Sequence, residues 1–406
     1  MKRYFAFCLS LILGLQLFGC SAAAPEAKVI VGGKPRDLMA KIVPAAVEPL
    51  APDQVYENAA AEFAFRLLRE GYTEGGITLS PYSLYLLLAM TANGAEGNTL
   101  AQLEQALGLP CSELNRYLYH LRNDPRQELL LANSIWFRES RELQVKESFL
   151  QTNGDYYDAQ LYRADFTQQT VAEINAWIAA HTKGRIDELI RQLDPNDCMI
   201  LLNALCFDGQ WAEAFDPENS YDGSFTAWDE TVQDARMMQG SAEKYIREGN
   251  TTGFVKEYEN GYSFLALLPE KGQAMEDFLA GLSGEKLLQL WRSASQQKTA
   301  VTMPQMELES ELSAVSILQK LGVTDLFGDT ADLRRISDAD LYVSALLHRC
   351  SVAVDETGTT AAGASSAIIT YKGIPKSVVL DRPFVYAILD NETGTILFLG
   401  VVASVE

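Results

Sequence analysis

Apolar positions recur at helical spacing early in the chain and at strand spacing later on. Between Val55 and Glu70, Phe63, Leu67 and Leu68 share one helical face, and Gly71 ends the run. Ser80-Pro81 opens a second helix, with serine as the cap and proline at the first position, where its missing N–H is not needed. The same period predicts helices over Asn98–Leu107, Ser112–Leu121 and Val171–His181. Leu129–Phe137 and Met199–Phe207 are apolar runs of strand length, the pattern of strands covered on both faces. Downstream, strands are predicted at Phe254–Tyr258, Tyr262–Leu268 and Lys298–Glu307, with amphipathic helices at Glu285–Ser293 and Glu311–Leu321. The chain closes on a hairpin, Phe384–Leu389 and Thr395–Val402 around Asp390-Asn391-Glu392-Thr393-Gly394. No compositional break and no repeat divides residues 53–406, so a single large α+β domain is expected.

The amino end has another character. Basic Met1-Lys2-Arg3 precedes an apolar run from Tyr4 to Phe18, of signal-peptide length and too short for a comfortable membrane span. It ends at Leu17-Phe18-Gly19-Cys20, which resembles a bacterial lipoprotein signal (1–20). That resemblance implies export and lipidation of Cys20, leaving the protein anchored at the cell surface. An ordinary secretory signal cut within Ser21-Ala22-Ala23-Ala24 is the alternative. Residues 21–52 hold five of the 14 prolines among Ala, Gly and Val, and are expected to form a tether.

Composition narrows the function. The 406 residues are 48% hydrophobic, enough for a large core. Lys+Arg 33 against Asp+Glu 54 gives a net charge of −21, which repels nucleic acid. With only His120, His181 and His348 available, neither a metal centre nor a cofactor is expected. No Gly-x-Ser-x-Gly elbow accompanies them, so an enzyme is not expected either. Cys111, Cys198, Cys206 and Cys350 are scattered, mostly in apolar segments. Exported thiols could pair, but buried free thiols are the favoured expectation.

One segment fits neither a core element nor an ordinary loop. Thr357 to Tyr371 reads TGTTAAGASSAIITY, with no charge and no proline, between Glu356 and Lys372. As a strand it would span ~50 Å at ~3.3 Å per residue. Thr359, Ala361, Gly363, Ser365, Ala367 and Ile369 would share one face, and Thr360, Ala362, Ala364, Ser366 and Ile368 the other. Nothing in it resists burial on either side. A linker of this composition would join domains, yet only the hairpin strands follow.

At these residues the chain resembles the serpin family. Asp355 to Ala364 (DETGTTAAGA) looks like the family's reactive-loop hinge, and Asn203 to Trp211 (NALCFDGQW) resembles its Asn-Ala-x-x-Phe-x-Gly-x-Trp signature. Leu79-Ser80-Pro81-Tyr82-Ser83, Asn93-Gly94-Ala95, Leu321 to Phe327 and Asp381-Arg382-Pro383-Phe384 match in the family's order.

The resemblance implies a metastable α+β fold with large mixed and antiparallel sheets, about nine helices and an exposed reactive-centre loop at about 356–380. In that family a serine protease cleaves the loop, which inserts as a strand in the main sheet and traps the enzyme as a covalent complex. The implied hinge is Glu356, Gly358, Thr359, Thr360, Ala361, Ala362 and Gly363. The residue before the cleaved bond lies sixteen positions after Glu356 and eleven before Pro383, so Lys372–Gly373 is the expected reactive bond. Lysine there suits a trypsin-like protease. Lys376–Ser377 keeps that specificity with a longer insert, and Tyr371–Lys372 suits a chymotrypsin-like enzyme. Ser80, Ser83, Asn203 and His348 match the family's shutter, and Trp211 its breach. The protein is expected to be a monomer that touches a membrane only through Cys20. A noninhibitory serpin with a binding or chaperone-like role is the alternative.

Overall fold

The computed structural model describes residues 33–123, 126, 129–194, 196–359 and 376–405. From the amino end, β1 (Arg36–Asp37) precedes α1 (Gln54–Gly71), β2 (Ile77–Leu79), α2 (Pro81–Ala92), α3 (Gly97–Leu107) and α4 (Cys111–Arg122). Next come β3 (Leu129–Arg138), α5 (Glu147–Tyr157), β4 (Gln160–Ala164), α6 (Gln168–His181) and β5 (Met199–Phe207). A strand-rich stretch follows: β6 (Gly209–Gln210), β7 (Tyr221–Thr226), β8 (Val232–Ala242), β9 (Lys244–Glu248), β10 (Thr251–Glu257) and β11 (Tyr262–Leu268). Then α7 (Met275–Ala280), α8 (Gly284–Arg292), β12 (Thr299–Pro304), β13 (Met306–Ser313) and α9 (Val315–Lys320) lead to β14 (Ala345–Val354). The last strands are β15 (Gly358–Thr359), β16 (Ser377–Val379), β17 (Phe384–Asp390) and β18 (Ile396–Val402).

The main sheet has the order β1-β4-β3-β5-β14-β13, and a second runs β2-β18-β17-β11-β10-β9. A third is β16-β12-β8-β7, and β15 pairs with β6. Every residue of β5 is buried because both faces of the sheet are covered. Leu201, Leu205 and Phe207 face the principal core, while Ile200, Leu202, Ala204 and Cys206 face a second cluster with Ile174 and Ile178 of α6. α2 is buried along its whole length, touching β5 of the main sheet and β18 of the second. Ser80 caps it as the sequence predicts, its hydroxyl accepting from the Ser83 N–H.

Three expectations need correction. Lys298–Glu307 is two strands in two sheets. β12 pairs with β8 as far as Pro304, and the chain then crosses to β13 at Gln305, whose N–H donates to Arg236 O. Pro304 shares the parity of Ala300 and Thr302, which bond the β16 side, and offers no N–H to continue the pairing there. Glu311–Ser313, expected to begin a helix, belongs to β13, where Glu and Leu alternate with period two. Helix α9 covers only Val315–Lys320.

The third concerns residues 33–52, which lie on the body. β1 pairs with β4, Leu38, Met39, Ile42 and Leu50 pack against the core, and Leu50 N–H donates to Arg116 O of α4. Prolines keep this stretch extended as it crosses α5 and α4, while the apolar residues between them supply the burial that a tether lacks. Cys20 and the rest of 1–32 fall outside the described residues.

The four cysteines of the body are free. Cys206 and Cys350 sit on neighbouring strands but face opposite cores, so they cannot bridge. Burial pushes the Cys111 thiol up to about 12 and Cys206 up to about 11, which leaves both inert. No helix among the described residues is long and apolar enough to cross a membrane.

Candidate functional site

β14 and β5 run parallel and pair directly, Ala345 through Ser351 against Ile200 through Cys206. Past this seam they part, β14 ending at Val354 and β5 passing through Asp208 into β6. In the fork the chain turns back on itself. Asp355 N–H donates to Gly358 O at 2.9 Å, and Asp355 Oδ1 accepts from Thr357 N (2.7 Å), Thr357 Oγ1 (2.7 Å) and Gly358 N (3.1 Å). β15 then pairs antiparallel with β6, Gly358 opposite Gln210 and Thr359 opposite Gly209. A Cβ on residue 358 would stand 2.3 Å from Gly209 O, so only glycine fits there.

Side chains hold this turn from all sides. The Glu356 carboxylate accepts from Ser220 Oγ at 2.6 Å and Gln305 Nε2 at 2.5 Å, and its backbone carbonyl accepts from Phe215 N. Trp211 donates its Nε1–H to Asp355 O at 3.0 Å and stacks on Tyr258 at 4.1 Å between ring centres. Thr359 is fully buried, its hydroxyl 2.9 Å from that of Tyr258. Burial pushes the Tyr258 phenol upward, so it stays protonated. Beneath them lies Lys256, 1% exposed, donating to Glu213 O and Ser241 O with its ammonium 4.6 Å from the Phe215 ring centre. Burial lowers it to about 8, against the pull of Glu243 and Glu213.

Hinge residues Thr360, Ala361, Ala362 and Gly363, with Tyr371, Lys372 and Gly373, lie outside the described residues. Of the loop expected at about 356–380, Gly358–Thr359 and Ser377–Val379 are strand, so its first hinge residues are buried in the fold. At the far side Lys376 O accepts from Ala300 N, and β16 pairs parallel with β12.

Midway along the seam a polar row crosses the sheet. Asn133 of β3, Asn203 of β5 and His348 of β14 are register partners. Ser80 N–H donates to His348 Nε2 at 3.0 Å, so the ring proton sits on Nδ1 and is donated to Asn203 Oδ1. The same Oδ1 accepts from Ser83 Oγ at 2.9 Å, and Asn203 Nδ2 donates to Asn133 Oδ1. Ser83 Oγ lies 2.8 Å from Ser80 Oγ. The structure thus brings Ser80, Ser83, Asn203 and His348 together, and places Trp211 separately, at the fork.

The serpin (serine protease inhibitor) family profile matches residues 58–405. The chain is a serpin. Its structure is similar to the crystal structure of the thermophilic serpin tengpin in the native state, with a TM-score of 0.87 and 36% identity, covering 91% of this chain and 99% of that one. Among sequences it is 28% identical to alpha-1-antiproteinase F of Cavia porcellus over 86% of this chain and 91% of the relative. It is 31% identical to thyroxine-binding globulin of Sus scrofa, over 84% and 88%.

Several site residues of this serpin escape sequence reasoning. Asn133 leaves a signal, a polar side chain inside an apolar strand run, and so does Asp355-x-Thr-Gly as an Asx turn. Ser220, Gln305 and Tyr258 leave none, because only the fold brings them to Glu356 and Thr359.

Two outcomes are expected of the polar row. Asn203→Leu strands the His348 Nδ1–H in the core and costs the Ser83 hydroxyl one of its partners, at roughly 2–3 kcal/mol in total. Calorimetry should show a melting temperature lower by about 3–5 °C. His348 is held down to about 3 by burial, against an ordinary 6.5. Below pH 6.5 the unfolded chain binds a proton at this residue that the native state refuses until about pH 3. Stability is therefore full above pH 6.5 and falls by up to ~1.4 kcal/mol per pH unit as acid is added through that window. Urea midpoints measured across pH 4–7 should lose this slope in His348→Gln; an unchanged slope assigns it elsewhere.

Proposed function

We propose that this serpin inhibits a trypsin-like serine protease through cleavage after Lys372, insertion of the loop between β5 and β14, and covalent trapping. One observation carries the proposal: Gly358 and Thr359 already form the first rung of the incoming strand, with Thr359 buried against Tyr258. Continuing that register sets Ser365 opposite Asn203 and Ile369 opposite Met199. The odd-numbered loop residues then enter the principal core beside His348, and the even-numbered ones face α6. All are small or apolar, so insertion buries no charge. Lys372 passes the end of β5, carrying the acyl-enzyme to the opposite pole from where it formed.

Insertion replaces one seam with two. The net gain is about a dozen ladder hydrogen bonds at ~0.5–1.5 kcal/mol each, roughly 10 kcal/mol. The Asn203–His348 link across the closed seam is the lock that must part.

Lys372–Gly373 is favoured over Lys376–Ser377 because Lys376 O is bonded to Ala300 N and Ser377–Val379 are held in β16, away from a protease cleft. A denaturing gel after mixing with trypsin should show a band containing both proteins, and mass spectrometry should place the cut after Lys372. Lys372→Ala should abolish the complex with trypsin and Lys376→Ala should leave it. A clipped chain without complex favours a noninhibitory binding role, as the name of the thyroxine-binding relative suggests. The apolar run ending at Cys20 supports export with a lipid anchor at the cell surface. The partner is then the protease alone, with the serpin a monomer.

A further inference from the structure

Away from the seam, a cavity of about 560 Å³ opens where four separate stretches of chain meet: 72–74, 226–230, 269–276 and 381–383. Its volume falls in the range of small-molecule sites. Pro269 and Met275, both buried, line it together with Tyr72 and Trp228. Trp228, in the turn between β7 and β8, is 45% exposed, unusual for the largest apolar side chain. Its backbone is fixed by a hydrogen bond from Trp228 N to Ala403 O, so the indole is presented from a held position.

Around the mouth the charge is one-sided. Glu74, Glu230 and Glu276 line it, and none of the three forms an ion pair among the described residues. The cations present are Arg382, already paired with Asp381 and bonded to Pro269 O, and Lys271. Tyr72 registers the resulting field: burial, with Glu276 and Glu74 nearby, pushes its phenol up to about 12.

We propose that this cavity is a binding site for an organic cation, an ammonium joined to an apolar or aromatic body. The body would rest on Pro269 and Met275, and the cation would meet the Trp228 ring face within the field of Glu74, Glu230 and Glu276. The same carboxylates disfavour an anionic ligand, and a neutral one would leave them unused. The site is remote from the β5–β14 seam, so it stands whether or not the loop inhibits a protease.

Calorimetric titration of the whole protein with benzyltrimethylammonium provides the test, with benzyl alcohol as the neutral comparison. The expected result is saturable binding of the cation and at least tenfold weaker binding of the alcohol. Trp228→Ala, a substitution at a half-exposed turn residue, should weaken the cation at least tenfold. Glu74→Gln with Glu276→Gln should weaken it about fivefold without altering the melting temperature. Raised salt should weaken binding further. Absence of cation binding, equal binding of the alcohol, or indifference to both sets of substitutions would each overturn the proposal.

Discussion

Under the proposed mechanism, Thr359→Arg is expected to turn an inhibitor into a substrate. Thr359 is fully buried and hydrogen-bonded to Tyr258, on the side of the sheet where Phe207 packs edge-on against the Tyr258 ring. A guanidinium there would be fully buried above the Lys256 ammonium, and an uncompensated buried charge costs roughly 3–5 kcal/mol. The rung β15–β6 should come apart and the hinge should start insertion from outside the fork. Trapping is a race between insertion and deacylation, and each ~1.4 kcal/mol on the insertion barrier slows it tenfold. The share of cleaved molecules that end as complex should then fall by about a hundredfold or more, while cleavage after Lys372 continues. Gel quantitation of complex against clipped chain measures this. Thr359→Ser, which keeps the hydroxyl, should remain inhibitory. Equal trapping by Thr359→Arg would mean that residue 359 need not enter the sheet.

Cleavage without a trapped enzyme should raise stability sharply. Before the cut, the ribbon is tied at both ends, by β15 to β6 and by β16 to β12, so it cannot enter the seam along its length. Cutting after Lys372 frees one end. If insertion is then worth roughly 10 kcal/mol, and each kcal/mol moves the transition of a domain this size by about 1–2 °C, the melting temperature should rise by about 10–20 °C. Proteins of this kind are ordinarily marginal, so such a gain on breaking a peptide bond is not expected from local trimming of a loop. A clipped chain melting where the intact chain does would mean that no strain had been stored.

The sequence made the core elements readable and left their partners hidden. Met199–Phe207 was legible as a doubly covered strand because all its positions are apolar except Asn203, and the hairpin of β17 and β18 because its turn residues are unmistakable. β14 was harder: its inward positions include His348 and Cys350, which interrupt the alternation that its burial follows strictly. At the site, the small uncharged residues after Glu356 declared a segment fit for burial. What they could not declare is where the fork stands open, since that depends on Gly209 and Trp211, just beyond β5, meeting Tyr258 just beyond β10. Prolines misled in 33–52, because they disguise extended backbone docked on the body as a spacer.

The most direct test is the crystal structure of the protein cut after Lys372. The account predicts that β5 and β14 no longer touch, with residues 359–371 lying between them antiparallel to both and Ser365 level with Asn203. A structure in which Ala345–Ser351 still pair with Ile200–Cys206, and the severed ribbon remains outside the sheet, would contradict it.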